Sequence, residues 1–300
     1  MELRHLLALK AIADEGSLAA AARRLGYSQA GVSQQLASLE RLVGSRLVER
    51  RVGGRAAKVT EAGHRVLRHG VAILARAQAA DAELRALADG SLGTLRLGTN
   101  PSIGARIVPQ LLRRVSERAP DLDVALVEDG WDSHLLDWLE AGKVDLTFAF
   151  LPLREGPFAF VELLRDPYVL LVASDSPLAA ADRSPLPLAQ LETVPLIVCS
   201  QSTAADAFCE AQGVSARVRY RIDDNATLVG LAAAGLGAAL LPRLAVDPDH
   251  RGVRIVELAV KPPPRIIVLA WHRDREQTEA ARTLVAAAEE TCGELVGAGL

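Results

Sequence analysis

SLAAAARRLGYSQAGVSQQLASLERLVGSRLVER, residues Ser17 to Arg50, carries two helical patterns with a turn between them. Ser17 can cap a first short helix, in which Leu18, Ala21, Ala22 and Leu25 recur at helical spacing, and Gly26 with Tyr27 breaks it. Ser28 is placed to cap a second helix. There Val32, Leu36, Leu39 and Val43 fall on one face, and Ser33, Gln34 and Arg41 on the other. Polar side chains of this kind bond base edges and phosphates, and a helix of this width fits the major groove. The stretch therefore reads as a helix-turn-helix. Its plainer alternative is a packed helical hairpin with a solvated face, and the flanking sequence decides between them.

Upstream, Leu3, Leu6, Leu9 and Ile12 make a further helix that ends near Gly16. Downstream, extended segments Arg46 to Arg50 and Ala57 to Thr60 flank Arg51-Val52-Gly53-Gly54-Arg55, a glycine turn that reads as a wing. Arg51, Arg55 and Lys58 would bring positive charge beside the second helix, where phosphates lie. The net charge of −3 argues against nucleic acid, but its distribution reverses that argument. Residues 1–60 hold ten Lys or Arg against five Asp or Glu, and the remaining residues hold 24 against 32. A basic head on an acidic body suits a chain in which one domain meets phosphates.

Three hundred residues imply two or three domains, and the 50% hydrophobic, 4% aromatic composition implies aliphatic cores. Charges at Glu2, Arg4, Lys10 and Asp14 interrupt the apolar run that a signal peptide needs, and no run approaches a membrane span. A cytoplasmic chain that contacts no membrane is expected. Cys199, Cys209 and Cys292 match no zinc spacing and cannot all pair, so reduced thiols, no metal and no cofactor are expected. G-x-S-x-G, H-E-x-x-H and Walker patterns are missing and the six His are scattered, which argues against an enzyme. The lone Gly235-Leu236-Gly237 follows a helix and reads as its C-terminal turn.

From Glu61 to about Ala88 the chain reads as one long helix. Val66, Gly70, Ile73, Ala77, Ala80, Leu84 and Leu87 recur at alternating steps of four and three, a seam suited to pairing two chains. Beyond Gly93 strands and helices alternate. Strands are expected at Leu95–Gly98, Leu122–Glu128, Val144–Phe150, Tyr168–Ala173, Pro195–Cys199, Arg217–Ile222, Ala238–Leu241 and Arg265–Trp271. Helices are expected at Ser102–Arg118, Ser133–Ala141, Thr203–Gln212, Asn225–Ala234 and Glu276–Val296. Such βαβ order implies parallel sheets in two similar α/β halves, with crossings near Leu164–Leu170 and Arg265–Leu269 that would make a hinge.

In order and spacing, the N-terminal residues resemble the LysR-type transcriptional regulators. They are Leu3, Leu6, Gly16-Ser17, Ala21-Ala22, Leu25, Ser28-Gln29, Ser33, Gln35-Leu36, Leu39-Glu40, Gly44, Leu47, Glu49-Arg50 and Thr60-Glu61-Ala62-Gly63. Gly142-Lys143-Val144-Asp145-Leu146 and the run from Ala233 through Gly237 to Pro242 extend the match. The resemblance implies a winged helix-turn-helix over 1–60 and a linker and dimerisation helix over 61–90. It also implies a two-lobed effector domain similar to periplasmic solute-binding proteins, with lobe I over 91–164 and 268–300 and lobe II over 165–267. Homotetramers, promoter DNA and RNA polymerase are the partners expected of such a regulator. By position, Gln29, Ser33 and Gln34 would meet bases, and Arg50, Arg51 and Arg55 phosphates or the minor groove, with Ser28 and Ala30 also in the DNA-binding set. Ala30 stands where the family often has Pro, and Gln34 where it often has Arg.

In open α/β sheets, ligands bind beyond the carboxyl ends of strands, near helix N-termini. Those ends carry Thr99, Asn100 and Ser102; Trp131; Phe150; Ser200, Gln201, Ser202 and Thr203; and Asp224 with Asn225. Hydroxyls and amides there suit a small polar or anionic effector, although Asp224 would repel a carboxylate. Two further readings stand beside this one. Cys199 and Cys209 lie where peroxide-sensing members of the family keep a thiol pair, and a two-lobed body alone would suit a solute-binding protein.

Overall fold

The computed structural model describes residues 1–50, 57–89, 93–180, 185–200, 204–247 and 249–297. They form two compact units, Met1–Gly93 with Glu140–Lys143, and Thr94–Leu139 with Val144–Leu300.

In the first unit three helices pack on one apolar core: α1 (Leu3–Glu15), α2 (Leu18–Leu25) and α3 (Gln29–Val43). Leu9, Ile12, Val32, Leu36 and Leu39 are buried in it. The stops and starts are local chemistry. Gly16, Gly26 and Gly44 end the helices at φ of 67°, 68° and 73°, a left-handed conformation that glycine adopts without strain. Ser17 Oγ accepts the Ala20 N–H at 3.2 Å, and Ser28 Oγ accepts that of Gly31 at 3.1 Å. Val43, expected on the buried face, is 39% exposed, because the last turn of α3 runs past the core.

Strands β1 (Val48–Arg50) and β2 (Ala57–Val59) pair antiparallel, Glu49 opposite Lys58, as a wing requires. The turn that carries Arg51 and Arg55 lies outside the described residues. Glu40 ties wing to helix, its Oε1 accepting the N–H groups of Leu47 at 2.8 Å and Val48 at 3.3 Å.

Thr60 then opens α4 (Glu61–Asp89). Its hydroxyl donates to Arg46 O at 2.8 Å and accepts the Gly63 N–H at 3.0 Å. Gly63 is required by close approach: a Cβ there would meet Leu47 O at 2.2 Å. The seam expected along α4 divides. Val66 packs on the three-helix core and Gly70 abuts Leu6, whereas Ile73 and Leu84 stay exposed at 40% and 65%.

The second unit holds two five-stranded sheets of matching plan. Lobe I contains β3 (Thr94–Thr99), β4 (Asp123–Glu128), β5 (Leu146–Phe150), β6 (Phe158–Asp166) and β12 (Arg265–His272), in the order β4-β3-β5-β12-β6. Lobe II contains β7 (Tyr168–Ala173), β8 (Leu196–Cys199), β9 (Val218–Ile222), β10 (Ala238–Pro242) and β11 (Val253–Val256), in the order β11-β7-β10-β8-β9. The βαβ units give three parallel strands per sheet, but β12 in one and β7 in the other run antiparallel to both of their neighbours. Each sheet is thus mixed where a parallel one was expected, because the strand that arrives by crossing from the other lobe, β12 or β7, is inserted second from one edge.

Two strands went unassigned in the sequence. β6 buries Phe158, Leu164 and Asp166 but exposes Phe160, Glu162 and Arg165, and β11 has four residues. The helix expected over Ser102–Arg118 is two, α5 (Pro101–Arg106) and α6 (Val108–Arg118). Pro109 has no N–H to continue the ladder, so it breaks the run at Ile107. Helices α7 (Asp132–Glu140), α8 (Ala204–Ala211), α9 (Asn225–Ala233) and α10 (Glu279–Gly297) complete the unit. Arg265 pairs with Asp166 in the β12–β6 ladder, so Arg165, Asp166 and Arg265–Ile267 belong to the first sheet rather than to lobe II.

Candidate functional site

On α3 the residues read as base contacts lie in the first two turns, Ala30 and Gln34 turned away from buried Val32, Leu36 and Leu39 and Gln29 and Ser33 at the margin of that face. Ser28, Gln29, Ala30 and Gln34 are exposed, and Ser33 is half-buried. Helical period places 29, 30, 33 and 34 on one stripe near the N-terminus, which Arg41 continues. Core packing on one side and capping by Ser28 and Gly44 fix the angle at which that stripe is offered.

Between the lobes lies a groove of about 640 Å³. Ser102, Ala105 and Arg106 of α5 form one wall, and Asp224, Asn225 and Val246 stand on the other. Ser102 and Asn225 are therefore brought together. Thr99 and Asn100 are buried beside this groove, 2% and 3% exposed. Asn100 heads α5 without capping it: its Nδ2 donates instead to Asp132 Oδ1 at 2.8 Å, and Asp132 Oδ2 accepts the Phe150 N–H at 2.8 Å. Asn100 Oδ1 has no donor among the described residues. Trp131 is 46% exposed and does not line the groove; its backbone N–H donates to Asp129 Oδ1, and its ring lies tilted beside that of His134. Ser200 is exposed at the end of β8, while Gln201, Ser202 and Thr203 lie outside the described residues.

Sequence reading missed the charged centre of the hinge. Arg265 Nη2 meets Asp166 Oδ2 at 2.7 Å, and Arg265 Nε donates to the same oxygen at 2.8 Å. The same guanidinium donates to Ser102 Oγ at 2.8 Å and lies 4.5 Å above the Phe150 ring. Asp166 Oδ1 accepts the Leu244 N–H of lobe II at 3.1 Å. One ion pair thus touches Ser102 and Phe150 on one lobe and Leu244 on the other. Burial pushes the carboxyls of Asp132 and Asp166 above the usual range, against the pull of Arg265. An arginine opening the apolar run RIIVLAW was the available signal.

The two cysteines read as a candidate pair face opposite sides of one sheet. Cys199 packs with Ile197 on the α9 side, whereas Cys209 of α8 is buried with Leu196 and Val198 on the other. Burial raises the Cys209 thiol, and pushes that of Cys292 up to about 12.

Residues 3–64 match the bacterial regulatory helix-turn-helix protein, lysR family, and residues 88–293 match the LysR substrate binding domain. The chain is 30% identical over 301 residues to a probable hydrogen peroxide-inducible genes activator of Streptomyces viridosporus, covering 98% of this chain and 95% of that protein. A match at 36% identity to a probable RuBisCO transcriptional regulator of Chlorokybus atmophyticus spans 48% of this chain but only 45% of that protein. Among solved structures, full-length CbnR complexed with its target DNA shares the fold at a TM-score of 0.69 and 23% identity, over 97% of this chain and 100% of that one. A mutant of OxyR from Corynebacterium glutamicum matches at 0.61 and 28% identity, over 99% and 94%. With both its DNA-binding and its substrate-binding halves matched, the chain belongs to the LysR family and is a LysR-type transcriptional regulator.

Proposed function

We propose that this regulator reads a promoter operator through Gln29, Ser33 and Gln34, with Ser28 and Ala30 close to the bases. Arg50, Arg51 and Arg55 anchor the flanking phosphates. The exposed polar stripe of α3, rigidly backed by its apolar face, is the observation that carries this reading. Exposed Ile73 and Leu84 on α4 favour pairing of two chains, and a dimeric reader favours a two-fold site. Tetramers and contact with RNA polymerase extend the same reading.

A small molecule in the inter-lobe groove, held by Ser102 and Asn225 with Thr99, Asn100 and Phe150 behind them, changes lobe closure and so redistributes the DNA heads. The exposed Trp131, Ser200, and the segment with Ser202 and Thr203 complete the candidate contacts. Among the described residues no helix is long and apolar enough to cross a membrane, in keeping with action at DNA in the cytoplasm. Relatives named for hydrogen peroxide suggest thiol sensing, but here Cys199 and Cys209 are separated by the sheet, so an effector molecule is the reading we adopt.

In vitro selection from random DNA, followed by titrations on selected and scrambled duplexes, tests the division of roles. Gln34→Ala should lose about 1–3 kcal/mol on the selected site and little on scrambled DNA, whereas Arg51→Ala should weaken both alike. Equal losses on both duplexes for both variants would refute the assignment.

A further inference from the structure

We infer that Arg106 is a latch between the lobes: when they close over the groove, its guanidinium forms an ion pair with Asp223 or Asp247 on the opposite wall. This inference rests on the lobes closing over that groove, as proposed above.

The groove carries both signs of charge, one on each wall. Arg106, the last residue of α5, is half-buried on the lobe I wall and is the one Lys or Arg among the described residues that line the space. Unlike Arg265, which Asp166 already answers, it has neither a hydrogen bond nor an ion pair among the described residues. Lobe II faces it with Asp223, Asp224 and Asp247, all exposed. Asp224 is occupied as the cap of α9, where the hydroxyl and backbone protons of Thr227 hold its carboxyl below the usual range. Asp247 gives one oxygen to the Asp249 N–H at 3.0 Å, and Asp223 has no partner among the described residues. The free cation and the free carboxylates thus stand on different lobes. Within the chain, the approach of one wall to the other is what brings them together.

The corner of the groove directs that approach. α5 packs against the short turn Arg243–Ala245 of lobe II, and the Arg265–Asp166 pair ties the same corner through Ser102 and Leu244. Arg106 lies about one helical turn beyond Ser102, and Asp247 follows Leu244, so both are displaced from the pivot along facing walls. An ion pair between partly exposed groups contributes little by itself. That suits a latch, which has only to bias a two-state closure by a few fold and then let go. Salt should loosen it, because charges this exposed are screened.

Two measurements on the full chain test this. Arg106→Lys keeps the charge and supplies an amine, so a zero-length carbodiimide should join position 106 to 223 or 247 within one chain, and high salt should suppress the product; peptide mass spectrometry of the monomer-sized band reads it. Independently, Ala105→Cys with Ala226→Cys, in a Cys199→Ser background, puts thiols at exposed positions on the two walls. Their rate of disulfide formation in mild oxidant reports closure without using the charges. Adding Arg106→Gln should slow that rate about threefold, the scale of one partly exposed ion pair. Arg106→Glu should slow it further, and combining Arg106→Glu with Asp223→Arg and Asp247→Arg should restore it. No carbodiimide product at position 106, a rate unchanged by Arg106→Gln, or no recovery in the charge-exchanged variant would each overturn the latch. A disulfide that still forms in those cases leaves closure over the groove standing. If none forms in any variant, the closure reading fails with it.

Discussion

Replacing Arg265 with Met removes the guanidinium while keeping much of its length, and strands Asp166. That carboxylate is fully buried, and among the described residues it would keep chiefly the Leu244 N–H. Breaking a buried pair from one side costs about 3–5 kcal/mol, because the remaining charge has neither water nor partner. In a unit of this size each kcal/mol moves Tm by about 2–4 °C, so a fall on the order of 10 °C is expected for its transition. Asp166→Asn should cost less. Its amide oxygen can still accept from Leu244, and Arg265, with 13% of its side chain exposed, keeps Ser102 and reaches water. The double variant should lose clearly less than the two single losses added together.

The pH dependence follows from the direction of the Asp166 shift. Burial raises this carboxyl above 3.8, so the folded state holds the proton more tightly than the unfolded chain does. Stability therefore falls as pH rises from the unfolded value through the folded one, and the full penalty applies above it. Without Arg265 the folded value rises further. The Arg265→Met deficit should be greatest near neutrality and shrink toward about pH 5. Thermal melts of wild type, both single variants and the double variant at the two pH values measure this. Equal deficits at both pH values, or strict additivity, would refute the account of a stranded buried charge.

Two further outcomes are expected. Gly63→Ala drives a Cβ to 2.2 Å from Leu47 O and 2.6 Å from Val59 Cγ1, so it should destabilise the DNA-binding unit by about 1–3 kcal/mol in melts. Gly230→Ala, with nothing within 4 Å, should be neutral or slightly stabilising. Peroxide followed by peptide mass spectrometry should give no Cys199–Cys209 link, and iodoacetamide should leave folded Cys209 and Cys292 unmodified; a stoichiometric link would show that the sheet opens readily.

The N-terminal fold was legible because its signals are local. Ser17, Ser28, Gly16, Gly26 and Gly44 act on backbone groups within a turn of themselves, so spacing alone predicts the caps. The apolar period of α3 likewise predicts the exposed stripe. The seam of α4 was half legible: its residues are apolar at the right steps, but periodicity does not say that Val66 and Gly70 are used within the same unit. β6 escaped because the register that makes it a strand is supplied by β12, about a hundred positions away. Its own alternation is blurred by Glu162, Arg165 and Asp166. The groove residues were partly legible for the same reason. Strand ends locate Ser102 and Asn225 generically, but which strand ends face each other depends on how the two sheets are crossed.

The hinge pair shows why the least legible residues tie the lobes together. Asp166 and Arg265 are 99 positions apart and each looks like a boundary charge, yet the β6–β12 ladder makes them direct partners. Ser102 is both a wall of the groove and an acceptor for Arg265, and Leu244 of the opposite wall donates to Asp166. A ligand that repositions either wall therefore strains bonds of the same buried pair. Because an uncompensated buried charge is far costlier than an exposed one, small displacements at the groove change the relative stability of lobe arrangements by more than the displaced contacts alone would. That leverage requires the pair to be buried and shared by both lobes, and it would vanish if either charge reached solvent.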